Sequence, residues 1–149
     1  MKCILAAVDG SEASLKAVDF AADMARIYAC PLLLLAVVPR AEIPISSAEL
    51  DAYARSEHLQ LTASEIANAD AEEILAKART RATAQGLTKI DTEATIGDPT
   101  SEIIALAKDR RADVIVVGSR GRGQLAGLLL GSVAHKVVSH AHCPVVVVH

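Results

Sequence analysis

The residues best suited to chemistry gather in one stretch near the C-terminus, where Gly118, Gly121, Gly123, Gly127 and Gly131 supply five of the eight glycines in the chain. Glycine permits φ > 0 and close approach of backbone to a ligand. Val114 to Val117, just before, is a short apolar run with β-branched residues, the pattern of a strand buried on both faces. Val133 and Val137, just after, stand four apart and predict a helix whose first N–H groups point back at the glycines. A glycine-rich strand-to-helix turn of this kind presents free amides and a favourable dipole to an anion, above all a phosphate. Charge agrees: Val114 to His149 contains no Asp or Glu but does contain Arg120, Arg122 and Lys136, in a chain of net charge -3.

Two standard phosphate motifs do not describe this turn. No lysine follows a glycine where a P-loop requires one. The run from Gly121 to Ala126 satisfies GxGxxA, but the dinucleotide fingerprint belongs at a first strand with an acidic residue about 20 positions on, and none follows here. The pattern that fits is Gly118-x-x-Gly121, nine residues, then Gly131-Ser132. Together with Asp9-Gly10-Ser11 after the first strand and a final CPVVVV, it resembles the ATP-binding branch of the universal stress protein family over the whole chain. The resemblance implies one nucleotide-binding domain, residues 1–149, an open five-stranded parallel sheet of order 3-2-1-4-5 with helices on both faces. It further implies ATP as ligand, with Mg2+ or Mn2+ accompanying the phosphates and no metal ligands assigned. Gly118, Gly121, Gly131, Ser132 and Val133 correspond to the phosphate-contacting positions, and Val37 to the position whose main chain meets adenine.

The elements that must position these residues are legible in order. Cys3 to Val8 and Pro31 to Val38 read as apolar strands, with a helix between them capped by Ser11 and carrying Leu15, Val18, Ala22 and Ala25 at helical spacing. Pro39 to Pro44 reads as a loop. Ser46-x-x-Glu49 resembles a capping box, and the alanine-rich, charged sequence from there to Gln85 is helical in character, closed by Gly86. Forty residues of straight helix would span about 60 Å, so a break is expected near Gln60 to Ser64. Lys89 to Ile96 alternates as a strand with one wet side. Asp98 and Pro99 then start a helix with Ile103, Ile104 and Ala107 inward, and Val145 to Val148 forms the last strand. Strands alternating with helices imply a parallel sheet with right-handed crossovers, and ligands in such sheets sit at the carboxyl ends where strand order reverses. In the implied order that point lies between the strands ending at Asp9 and Gly118. A carboxylate at Asp9 is suited to a ribose hydroxyl, to a metal, or simply to the local turn with Gly10. With few aromatics at hand, adenine would rest on aliphatic side chains such as Ala7, Val37 and Val117. Arg120 and Arg122 are placed either to neutralise phosphate or to be solvated.

Composition excludes other classes. One Phe, two Tyr and no Trp offer little to stack nucleic-acid bases, and a sequence pI near 5.9 argues against a phosphate-backbone binder. No apolar run reaches the length of a membrane span, and the N-terminus lacks a signal-peptide layout, so a cytoplasmic protein is expected. Cys3, Cys30 and Cys143 are odd in number and set in apolar surroundings, as small core residues of a reducing compartment. His135, His140, His142 and His149 have no zinc-site spacing. Function then divides three ways: a nucleotide-binding regulatory or stress-response protein acting on an unknown regulatory partner, a slow ATPase or phosphotransferase, or a structural dimer without nucleotide. The last strand, uncharged from Val145 to Val148, predicts a homodimer paired through it, because the opposite edge strand is protected by Lys89, Asp91 and Glu93; the family resemblance implies the same contact.

Overall fold

A computed structural model describes residues 1–40, 59–122 and 129–149, with the side chains of 59–66 outside the description. The capping box at Ser46 and the glycines at 123 and 127 fall outside these residues. The elements are β1 (Ile4–Val8), α1 (Glu12–Ile27), β2 (Leu32–Pro39), α2 (Leu59–Ala84), β3 (Ile90–Gly97), α3 (Pro99–Asp109), β4 (Val114–Gly118), α4 (Ser132–His140) and β5 (Val145–Val148).

The five strands form one sheet in the order β3-β2-β1-β4-β5, with every neighbouring pair parallel. This is the expected open α/β sheet, with the strand order reversing between β1 and β4. The alternating side chains of the central strands divide the core in two. Ile4, Ala6 and Val8 pack with Leu32, Leu34 and Val116 beneath α1 and α2. Leu5, Leu33, Leu35, Ile115 and Val117 pack on the other face with Ile103 and Ala107 of α3 and Ala134 and Val137 of α4. The unbroken apolar runs read from the sequence are thus strands covered on both sides. At the β3 edge, Asp91 and Thr92 are exposed, and Ile104 of α3 is only half-buried beside the buried Ile103.

Local chemistry sets the helix starts. The Ser11 hydroxyl accepts from the Ser14 amide at 3.2 Å, and Asp98 Oδ2 accepts from the Ser101 amide at 2.9 Å with Pro99 opening α3. The Ser101 hydroxyl donates to the same oxygen at 2.8 Å, and the amide and hydroxyl bonds from Ser101 together hold the Asp98 carboxyl below its ordinary range. Gly86, with φ of 85°, closes α2 as expected. The expected break near Gln60 to Ser64 is not there: α2 runs without interruption through its 26 residues, about 39 Å at the usual helical rise. Residues 60–64 contain neither Pro nor Gly, the residues that break a helix from within, so the length argument placed a break where no residue makes one.

Candidate functional site

At the carboxyl ends of β1, β2 and β4 a cleft of about 400 Å³ opens at the reversal of strand order. Ala7, Asp9, Val37, Val117, Gly118, Arg120, Gly121, Gly131, Ser132 and Val133 all line it, so the structure brings every one of the sequence-selected residues together. The floor is apolar, formed by Ala7, Leu35, Val37, Val117 and Ile103. One end is the start of α4.

That helix start, with Gly131 as its N-cap, keeps its first amides without a side-chain cap. The first intrahelical bond is His135 N–H to the Gly131 carbonyl at 2.9 Å, so the amides of Ser132, Val133 and Ala134 precede the ladder and lie at the cleft. A helix end with free amides concentrates positive potential there. The turn is held from behind: the Gly131 amide donates to the Ser119 carbonyl and the Ser119 amide donates to the Val148 carbonyl, each at 2.7 Å. Ser119 is buried, and its peptide therefore ties the start of α4 to the end of β5.

Asp9 joins the two loops. Its Oδ1 accepts from the Ser11 amide at 2.9 Å and its Oδ2 from the Arg122 amide at 3.2 Å. The Ser11 hydroxyl in turn donates to the Arg120 carbonyl at 3.3 Å. The local-turn role foreseen for Asp9 is therefore realised, and extended across to the glycine loop. The backbone of the loop must also pass close to β1 and α1. A Cβ on Gly118 would lie 2.7 Å from backbone atoms of Ala13 and Ser14, and one on Gly121 would lie 2.8 Å from Asp9 Oδ2. Arg122 lies over the first turn, where a Cβ on Gly10 would sit 2.7 Å from its Nη2.

Sequence reasoning missed one wall. Ala67, Asp70, Ala71 and Ile74, spaced along one face of α2, also line the cleft, as do Ser14 and Pro99. Ser14 is buried and its hydroxyl serves the turn, donating to the Ser11 carbonyl at 2.9 Å. Its place three residues after a Ser N-cap was the available signal. Among the described residues no group of three or more His, Cys, Asp or Glu is placed to hold a metal ion, and His135, His140, His142 and His149 are all exposed. Cys30 is buried, Cys3 and Cys143 are half-buried, and all three are free thiols raised above their ordinary pKa chiefly by burial. Among the described residues, no helix is long and apolar enough to cross a membrane.

An open parallel sheet with an apolar cleft at its reversal and a glycine-capped helix start at the end of that cleft defines an α/β protein of the open-sheet class, whose ligands sit at that position when they bind. The sequence profile of the Universal stress protein family matches residues 1–149, and the chain belongs to that family. It is 35% identical over 151 residues to a universal stress protein of Methanocaldococcus jannaschii, covering 99% of this chain and 81% of the relative. Among solved structures, universal stress protein UspA from Lactobacillus plantarum superposes with a TM-score of 0.79 at 28% identity, covering 99% of this chain and 97% of the other. A universal stress protein crystallised in complex with cAMP matches with a TM-score of 0.68 at 29% identity, covering 99% and 96% of the two chains.

Proposed function

We propose that this protein binds ATP in the cleft and acts as a nucleotide-dependent regulatory protein of the stress response, reporting occupancy to a protein partner. The observation that carries this reading is the start of α4, where three amides without side-chain caps open onto an apolar trough. In this reading adenine lies on Ala7, Val37 and Val117, with the main chain of Val37 at the ring edge. The phosphates lie on Gly118, Gly121, Gly131, Ser132 and Val133, Arg120 offsets charge, and Mg2+ or Mn2+ accompanies the phosphates. Asp9 keeps lone pairs for a ribose hydroxyl beyond the two amides it already serves. The cleft volume falls within the roughly 300–1,000 Å³ of small-molecule sites, and the cAMP-bound relative carries an adenine nucleotide in the same fold.

Binding, with slow hydrolysis at most, suits the lining better than turnover. Phosphoryl transfer needs a base or water-orienting group and metal ligands around the γ-phosphate. Asp9 is already engaged by two amides, and Asp70 lines the cleft from the α2 wall, outside the glycine motif. The same reading includes a homodimer paired through β5, whose four uncharged residues form an unprotected edge of the kind that two-fold strand pairing covers.

Nucleotide binding is tested on protein as purified. With two tyrosines and no tryptophan, bound adenine should raise the 260/280 nm absorbance ratio, and chromatography of the heat-released supernatant should identify the nucleotide. Gly131→Val with Ser132→Ala should abolish binding in a folded protein, since Gly131 has φ -69° and ψ 159°, a conformation open to valine. Loss of the Ser132 hydroxyl alone removes a charge-assisted bond of about 1.5–3 kcal/mol. Failure of the wild type to bind ATP at millimolar concentration would refute the reading.

A further inference from the structure

The exposed flank of α1 carries aromatic residues, while the core among the described residues contains none. Phe20 and Tyr28, two of the three aromatics in the chain, are 42% and 51% exposed, and Ile27 beside them is 70% exposed. Phe20, Met24, Ile27 and Tyr28 follow the i, i+4, i+7, i+8 spacing that makes one continuous stripe on a helix. Isolated exposed apolar residues are ordinary, but a contiguous stripe marks a contact surface.

The position of the stripe says what covers it. The opposite flank of α1 is occupied by α2, through Asp19, which accepts from Arg81 Nε and Nη2 at 2.6 Å each and from Gln85 Nε2 at 2.8 Å. Met24, on the free flank, packs into the same cluster as Val146 and Val148 of β5. The stripe therefore borders the open edge of the sheet, on the face where β5 presents half-buried valines.

Resting on the homodimer reading above, we infer that a second copy of this chain covers both features, and that the α1 stripe is the anchor of the interface. A two-fold axis that pairs β5 with its copy antiparallel leaves both α1 helices on the same face of the joined sheet, with their free flanks facing each other. A four-residue strand provides little area by itself, whereas stable dimers bury roughly 1,200–2,000 Å² or more in total. The strand spacing of about 4.8 Å puts the two helix axes some 15–20 Å apart across four central strands, wider than the 8–10 Å of helices in direct contact. Small side chains on the facing flanks would leave that interval open. Large side chains close it, which is what Phe20, Met24 and Tyr28 are, and aromatics with methionine are the types enriched in interface cores. Val146 and Val148 form the floor between them.

Two variants test this. Phe20→Glu should weaken the dimer at least tenfold in sedimentation equilibrium while circular dichroism and the urea midpoint remain close to wild type. Phe20→Trp introduces the sole tryptophan of the chain, and its emission should shift to shorter wavelength as concentration is raised through dimer formation. A wild-type monomer would overturn the dimer reading and this inference with it. A wild-type dimer that Phe20→Glu leaves intact, or a Phe20→Trp emission that stays at the solvent-exposed wavelength in the dimer, would leave β5 pairing standing and overturn the anchoring role of α1.

Discussion

Gly118 and Gly121 show nearly the same crowding at an added Cβ, 2.7 Å and 2.8 Å, yet alanine at the two positions should have different consequences. At Gly118 the obstructing atoms are the backbone of Ala13 and Ser14. They belong to the first turn of α1, which Ser11 caps and which packs on buried β1 and β4. Ordinary carbon contacts lie near 3.5–4.0 Å, so strand or helix must shift by roughly an ångström, and overpacking of this kind costs about 1–3 kcal/mol. For a domain of this size that is a fall in Tm of roughly 2–12 °C. At Gly121 the obstruction is a single carboxylate oxygen, Asp9 Oδ2, with the next Asp9 atom at 4.0 Å. Asp9 can rotate away by giving up its 3.2 Å bond from the Arg122 amide, at an exposed position where water replaces it, for about 0.5–1.5 kcal/mol. Neither glycine has φ in the left-handed region, so the comparison is purely steric. Urea unfolding of Gly118→Ala, Gly121→Ala, Asp9→Ala and the two doubles with Asp9→Ala measures it. In the double-mutant cycle, Asp9→Ala should remove the cost of Gly121→Ala and leave that of Gly118→Ala unchanged. A larger loss at Gly121 than at Gly118, or additivity of Gly121→Ala with Asp9→Ala, would refute the account.

Asp113 provides a pH prediction: its Oδ2 accepts from the Lys2 and Cys3 amides, and these bonds hold its carboxyl below the ordinary 3.8. A depressed folded pKa contributes stability that is fully present above the unfolded value and lost as pH falls through the folded one, so Asp113→Asn should flatten the stability profile below about pH 4; an unchanged acid limb would contradict this. Cys30, buried and with its thiol raised chiefly by burial, should react with a disulfide reagent at pH 8 only as fast as the protein opens, and immediate stoichiometric labelling would show otherwise. Val146→Lys with Val148→Lys should produce a monomer or a misfolded chain, judged by sedimentation and circular dichroism; a folded dimer would place the interface elsewhere.

The parts of the fold that were legible are those whose cause is local. Apolar runs with β-branched residues announced β1, β2, β4 and β5, and Ser11, Asp98 and Pro99 announced the helices they cap. Strand order is different: nothing in the residues of β3 states that it pairs with β2 along Leu32 to Pro39. The order β3-β2-β1-β4-β5 became readable only through the family resemblance. The cleft residues divide the same way. The glycine loop and Asp9 lie in recognisable motifs, whereas Val37 was named through the family resemblance and Ala7 and Val117 as aliphatic residues at the ends of apolar strands.

The α2 wall could not be named, and the reason is physical. Ala67 and Ala71 are buried, and by composition they are indistinguishable from the other alanines of that helix; their role follows from how α2 crosses the sheet. Small side chains at i and i+4 let a helix approach closely without filling the space above the strands, while Asp70 and Ile74 on the same face border the volume left over. Ile74 Cγ1 comes within 3.3 Å of where a Cβ on Gly10 would stand, so α2 meets the first turn directly. Replacing Ala71 with leucine would thus be expected to reduce ligand capacity through volume alone, without touching a polar group of the cleft. The alanines that make α2 look featureless in sequence are what keep the cleft open.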